Sequence, residues 1–145
     1  MGNLEPIDIL IKLSGSFWKD PPKAKIYLNN NLIFDGKIVQ STDVRWSGNL
    51  VEGKHKLTIE LLDKDKYQTV MENNKIVKDQ LLNIDAILFN DIDIGYLKHN
   101  LSNYYPNKEY ENTPLLVKNC VNLGYNGRWE LEFSTPIYIW LLENI

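Results

Sequence analysis

The chain has 145 residues, 43% of them hydrophobic, enough to bury roughly two-thirds of its unfolded surface in a single core without covalent staples. Sixteen Lys plus Arg against nineteen Asp plus Glu leave a net charge of -3 with no basic stripe, which argues against nucleic acid as the partner. One cysteine, Cys120, excludes an intramolecular disulfide and a Cys-rich zinc site, and no apolar run approaches the ~18 residues of a membrane span.

Asp8 stands where a signal peptide needs an apolar block, so the expectation is one domain over residues 1–145, made in a cytoplasm and without a membrane partner. Ile7 to Leu13 places Ile7, Ile9, Ile11 and Leu13 on one face of a first strand, and the breaker Asp20-Pro21-Pro22 ends the loop behind it. Ala24, Ile26 and Leu28 alternate before Asn29, Asn30 and Asn31, whose side chains tolerate the left-handed backbone of a tight turn, and Leu32 to Phe34 returns as the second arm of a hairpin. Ser41 to Leu50 leads through Glu52-Gly53 into the most regular stretch of the chain, and the short connection predicts antiparallel pairing across it.

That stretch, Gly53 to Asp65, sets His55, Leu57, Ile59 and Leu61 against Lys56, Thr58 and Glu60, a period of two that fits a half-buried strand and no helix. His55 lies on the apolar face, where a hydrogen-bonded core role suits it. Asp63 to Asp79 is polar and reads as a long loop, of the kind that often carries function in small domains. Leu81 to Phe89 is apolar on both faces near its end, as in a strand buried on two sides. Leu97 to Asn119 has no sustained period and reads as irregular. Trp129, Leu131 and Phe133 alternate with charged residues, and after Ser134-Thr135-Pro136 the run Ile137 to Leu142 reads as the second arm of a terminal hairpin. Eight to ten short strands without a helix predict an all-β fold, a two-sheet antiparallel β-sandwich of jelly-roll type.

Catalysis has no support in these residues: neither His55 nor His99 sits in a nucleophile motif, and the carboxylates are scattered. Asp63 and Asp65 end one strand and Asp91 and Asp93 another; two such pairs brought together would supply the hard oxygens of a structural calcium site. Trp18, Trp46, Tyr104, Tyr105 and Tyr110 are the candidates for flat faces that stack on a sugar ring, with Asn100, Asn103 and Asn107 as nearby amides. In the apolar run Ile137 to Leu142, a strand reading turns Ile137, Ile139 and Leu141 to the core and leaves Tyr138, Trp140 and Leu142 for an interface.

Two resemblances follow from particular residues. Gly53-Lys54-His55-Lys56-Leu57-Thr58-Ile59, followed by Leu82 to Asn90, resembles the G-x-H-x-L-T-I strand and partner strand of calcium-dependent, xylan-binding-type carbohydrate-binding modules. Leu81 through Cys120-Val121-Asn122-Leu123-Gly124-Tyr125-Asn126-Gly127 to Asn144 is similar to small uncharacterised proteins of marine tailed bacteriophages, including cyanophages. The second implies a non-catalytic virion structural or surface-decoration protein located in the particle, with other virion subunits or its own copies as partners and contact with a glycan. The first implies the alternative, a free calcium-dependent module whose partner is a polysaccharide.

Overall fold

The computed structural model describes residues 2–145. In chain order the elements are β1 (Leu4–Ser16), β2 (Lys23–Leu28), β3 (Asn31–Lys37), β4 (Thr42–Val51), β5 (Gly53–Leu62), β6 (Val70–Glu72), β7 (Lys75–Lys78), β8 (Leu81–Phe89), β9 (Ile92–Asp93), α1 (Leu97–Asn100), β10 (Ser102–Pro106), β11 (Val117–Lys118), β12 (Asn122–Leu123), β13 (Gly127–Thr135) and α2 (Ile137–Asn144). One sheet runs β12-β8-β1-β4 with β9 paired to the end of β8, the other runs β11-β10-β13-β5-β2-β3, and β6-β7 form a separate hairpin. Every strand pairing within the two large sheets is antiparallel. The chain is therefore the antiparallel β-sandwich that its period-two patterning implied.

The core lies between the sheets. Ile7, Ile9, Ile11 and Leu13 of β1 face Leu57, Ile59 and Leu61 of β5, with Ile26 of β2 and Trp129, Leu131 and Phe133 of β13, all buried. These are the residues that strict alternation puts on one face. His55, half-buried at the start of β5, is hydrogen-bonded as expected: Asn29 Nδ2 donates to its Nδ1 at 3.1 Å, and its Nε2–H donates to the Val51 carbonyl at 2.7 Å.

Leu97 to Asn119 is not irregular as expected but holds α1, β10 and β11, with β10 inside the six-stranded sheet, and four further expectations are corrected. β4 and β5 do not pair across Glu52-Gly53: β4 joins β1 in one sheet and β5 joins β13 and β2 in the other, so the short connection crosses the sandwich. β8 has one buried face, not two. Its pairing with β1 slips between Lys12 and Leu13, leaving Asp85 as an extra residue, and this bulge switches the inward set from Leu82 and Ile84 to Ile87 and Phe89. The polar stretch after β5 contains a single 3-10 turn, Lys66–Gln68, and the β6-β7 hairpin, whose Asn73 and Asn74 both take positive φ as its two-residue turn demands.

The fourth correction concerns the C-terminus. Ile137 to Leu142 is the body of helix α2, and it buries Ile137, Trp140 and Leu141, the i, i+3, i+4 stripe of a helix. Trp140 is thus turned inward, edge-on to Phe89 with ring centroids 5.8 Å apart, while Tyr138 and Leu142 do face solvent. The strand reading placed Trp140 outward because six consecutive apolar residues carry no period of their own. Tertiary contacts decide for the helix: it closes one end of the sandwich over Phe89 and Phe133, and Glu5 of β1 accepts the Ile137 N–H at 3.0 Å, filling the role of an N-cap.

Candidate functional site

β5 runs from Gly53 to Leu62 and pairs with β13 so that Leu61 faces Gly127, while β1 ends at Ser16 opposite Leu81. The loop 17–22, the connection 63–80 and the segment 107–126 therefore gather at one end of the sandwich. The opposite end holds the 90–96 turn, α1 and α2. The candidate site is a cleft of about 320 Å³ at the first end, walled by Lys64, Asp65, Lys66, Thr69 and Met71 on one side and by Asn107, Glu109, Tyr110 and Gly124 to Asn126 on the other. That volume is at the small end of the range of ligand sites, about 300–1,000 Å³.

Asn126 holds the two walls together. Its Oδ1 accepts the Lys64 N–H at 2.9 Å, while its Nδ2 donates to the Lys64 carbonyl at 2.7 Å and to Glu109 Oε1 at 2.9 Å; its own carbonyl accepts the Asn107 N–H at 2.7 Å. Gly127 follows directly, and only glycine fits: a Cβ would lie 2.7 Å from Pro106 Cα. On the floor, the nearly buried Lys64 ammonium donates to Asp79 Oδ1 and to the Gly124 carbonyl, both at 2.7 Å. Asp79 Oδ1 also accepts from the Thr69 hydroxyl at 2.6 Å and the Gln80 N–H at 2.8 Å. The lysine charge is thus neutralised inside the wall and positions backbone rather than meeting ligand.

Tyr104 anchors the other wall from within the core. Its hydroxyl accepts the Tyr125 N–H at 2.8 Å and donates to the Tyr125 carbonyl, so residue 125 is pinned by its backbone while its ring stays half-exposed. Burial pushes the Tyr104 hydroxyl far above the ordinary tyrosine range, and it remains a neutral donor at any physiological pH. Tyr110 is likewise half-exposed on the rim, and Asp65 caps the 3-10 turn by accepting the Tyr67 N–H at 2.8 Å. The arrangement offers two aromatic faces, an amide, carboxylates and the thioether of Met71 around one concavity. Both histidines belong to the opposite end, and neither lines this cleft.

Of the five aromatic residues read from sequence as sugar-facing, Tyr110 lines the cleft. Trp18 lies behind its wall, exposed, with its indole N–H bonded to the Gln68 carbonyl at 3.0 Å and the Lys78 ammonium 4.8 Å above its ring. The other three do not reach the site. Tyr104 is core, because alternation along β10 turns it inward; Tyr105 is on the outer face of the six-stranded sheet under Arg128; and Trp46 is on β4 of the other sheet, packed against the core. Tyr125, Asn126, Lys64 and Glu109 were not read as site residues. Asn126-Gly127 and Lys64-Asp65 are visible in the sequence as turn punctuation, but nothing in it says that these turns meet.

The two aspartate pairs do not converge. β5 and β8 run in opposite directions in opposite sheets, so Asp63 and Asp65 sit at the cleft end while Asp91 and Asp93 sit in the β8-β9 turn at the other. Each has a local task. Asp63 pairs with Lys23 at 3.5 Å, Asp91 takes the positive φ of a tight turn, and Asp93 accepts the Gly95 N–H at 2.8 Å. Among the described residues, no group of three or more His, Cys, Asp or Glu is placed to hold a metal ion.

No protein-family profile matches the chain, and neither does any curated protein. Among solved structures the chain is similar to vCBM60 in complex with galactobiose, with a TM-score of 0.54 and 12% identity over 88% of this chain and 97% of that one. A second structure of vCBM60, described with two families of calcium-dependent carbohydrate-binding modules linked by circular permutation, aligns with a TM-score of 0.54 and 10% identity over 86% and 89% of the two chains. At these identities the likeness is one of fold: this chain shares the β-sandwich architecture of carbohydrate-binding modules.

Proposed function

We propose that this protein is a non-catalytic carbohydrate-binding module that takes a short saccharide segment in the cleft between Lys64–Met71 and Asn107–Asn126. The observation that carries the reading is the pair of half-exposed rings, Tyr110 and Tyr125, on one concave surface whose walls are stapled by Asn126. Sugar rings are recognised by apolar stacking on flat faces with amide and carboxylate groups at the edge, and this cleft supplies each of these. The sandwich architecture shared with vCBM60 supports the same reading, as does the galactobiose bound by that protein.

Affinity electrophoresis of the whole chain through gels containing neutral polysaccharides, xylans and galactans among them, tests it. At least one polysaccharide should retard the protein, Tyr110→Ala and Tyr125→Ala should each weaken the retardation about fivefold, in keeping with the ~1 kcal/mol of one aromatic contact, and Trp46→Ala should not. Uniform mobility in every gel, or retardation indifferent to both tyrosines, would overturn the proposal.

A second reading rests on a different surface. Tyr138, Ile139 and Leu142 line the solvent side of α2, and an exposed apolar helix face suits assembly with further copies or other subunits, as a virion decoration role requires. Leu142→Asp should then lower the molar mass measured by light scattering at high concentration. A wild-type chain that is monomeric throughout sinks this reading and leaves the cleft untouched.

A further inference from the structure

On the surface beside the cleft, two exposed aromatic rings lie under lysine side chains. Trp18, of the loop 17–22, is 45% exposed and Tyr67, of the 3-10 turn, 63%. The Lys78 ammonium stands 4.8 Å from the Trp18 ring centroid, and those of Lys19 and Lys66 stand 5.8 and 5.3 Å from that of Tyr67. All three lysines are exposed, and among the described residues none of them is paired with a carboxylate. Acids at this end are engaged elsewhere: Asp63 with Lys23, Asp79 with Lys64, Asp65 with the Tyr67 N–H and Asp20 with the Gln68 amide. Aromatic faces and uncompensated positive charge therefore share one surface strip, drawn from segments far apart in the chain.

The strip is held in place from below. Gln68 and Gln80, 2% and 3% exposed, give their amide nitrogens to the Asp20 carboxylate and carbonyl at 3.1 and 2.9 Å, and the Trp18 indole N–H donates to the Gln68 carbonyl at 3.0 Å. These bonds tie the loop 17–22 to the connection 63–80 at two points, so the rings meet a ligand already ordered and lose little freedom on binding. A cation over an exposed ring gains little. Each ammonium is therefore free to swing to an incoming anion while a sugar takes its place on the ring.

We infer that this strip binds the charged sugars of an acidic polysaccharide, one in which carboxylated and neutral sugars alternate. Sugar rings stack on Trp18 and Tyr67, and their carboxylates meet Lys19, Lys66 and Lys78. Lys66 also lines the cleft, which makes strip and cleft continuous, and the cleft's Asp65 and Glu109 favour a neutral sugar there. Single-stranded nucleic acid also stacks on aromatic rings beside lysine, but its evenly spaced phosphates would run on into those two carboxylates, on a protein of net charge -3. The inference rests on the glycan reading for the kind of polymer, and it names residues other than the two cleft tyrosines.

Affinity electrophoresis of the whole chain through gels of hyaluronan and of xanthan, each run beside the same polymer with its carboxylates reduced to alcohols, tests it. At least one acidic polymer should retard the protein about tenfold more strongly than its reduced form, and the difference should shrink as added salt screens the charges. Trp18→Ala should weaken retardation by the acidic polymer about fivefold. Lys19→Gln combined with Lys78→Gln should remove most of the acidic preference and leave any retardation by the reduced polymer unchanged. Equal mobility in the acidic and reduced forms, an acidic preference that survives the double variant, or tighter binding of oligothymidylate than of either polymer overturns the inference. An acidic preference that is intact in Tyr110→Ala and Tyr125→Ala, with overall retardation unchanged, supports the strip and counts against the cleft. If Trp18→Ala does not fold, the double lysine variant, confined to exposed side chains, decides alone.

Discussion

At the α2 end of the sandwich, Phe89, Phe133 and Trp140 meet at ring-centroid distances of 4.8 to 6.3 Å, and the helix is seated by apolar area and one carboxylate cap. At the cleft end, Lys64, Asp79, Asn126, Gln68 and Gln80 hold loops to one another by hydrogen bonds. The first arrangement is strong and indifferent to direction, since burial scales with area. The second is directional: it fixes where backbone and rings stand to within a bond length, and fails when one partner is lost. A fold that uses burial to close one end and polar networks to shape the other can keep its stability and its binding surface separately adjustable.

Three experiments test that separation. Trp140→Ser should produce the largest effect, a loss of about 4 kcal/mol in chemical denaturation, because it removes a buried ring from the aromatic cluster and leaves a cavity. The cleft, on the far end, should keep its polysaccharide response in the folded fraction. A loss under about 0.5 kcal/mol, the range of surface sites, would show that α2 is not packed as described.

Asp79→Ala comes next. It leaves the Lys64 ammonium, whose side chain is 9% exposed, without its counter-charge, at a cost on the order of 3 kcal/mol. Replacing both residues, Lys64→Met with Asp79→Leu, should recover most of that stability yet lose polysaccharide retardation, because Gly124 and Thr69 are no longer held. A double variant with intact retardation would break the claim that the network shapes the cleft.

The smallest effect is a pH dependence. Burial raises the folded-state pKa of Tyr104 above that of the unfolded chain, about 10, so the stability contributed by its neutral hydroxyl is complete below pH 10. As pH rises further, the unfolded chain releases this proton first and the folded state loses ground. Tyr104→Phe should cost about 1 kcal/mol at pH 8 for its lost hydrogen bonds, and its stability should fall less steeply than wild type above pH 10. Equal slopes for the two proteins in alkaline denaturation would remove Tyr104 as the pinned, neutral anchor of Tyr125.

Much of the architecture is legible residue by residue. Alternation places Ile7 to Leu13, Leu57 to Leu61 and Trp129 to Phe133 inside, because a strand's side chains point to opposite faces whatever its partner. The sequence by itself thus determined an all-β sandwich, its core faces and most of its turns. Three things only the tertiary structure decided. Ile137 to Leu142 has no period, so its helix depends on Phe89, Phe133 and Glu5 being where they are. The inward phase of β8 changes at a bulge that arises in pairing with β1, not in β8 alone. The site depends on which loops share an end of the sandwich: Asp63 and Asp91 look alike as strand-terminal aspartates yet stand at opposite ends, while Lys64, Asn126 and Glu109, far apart in the chain, close one cleft. Local patterns report a residue's own strand, and a site is made by the order and direction in which strands enter the two sheets.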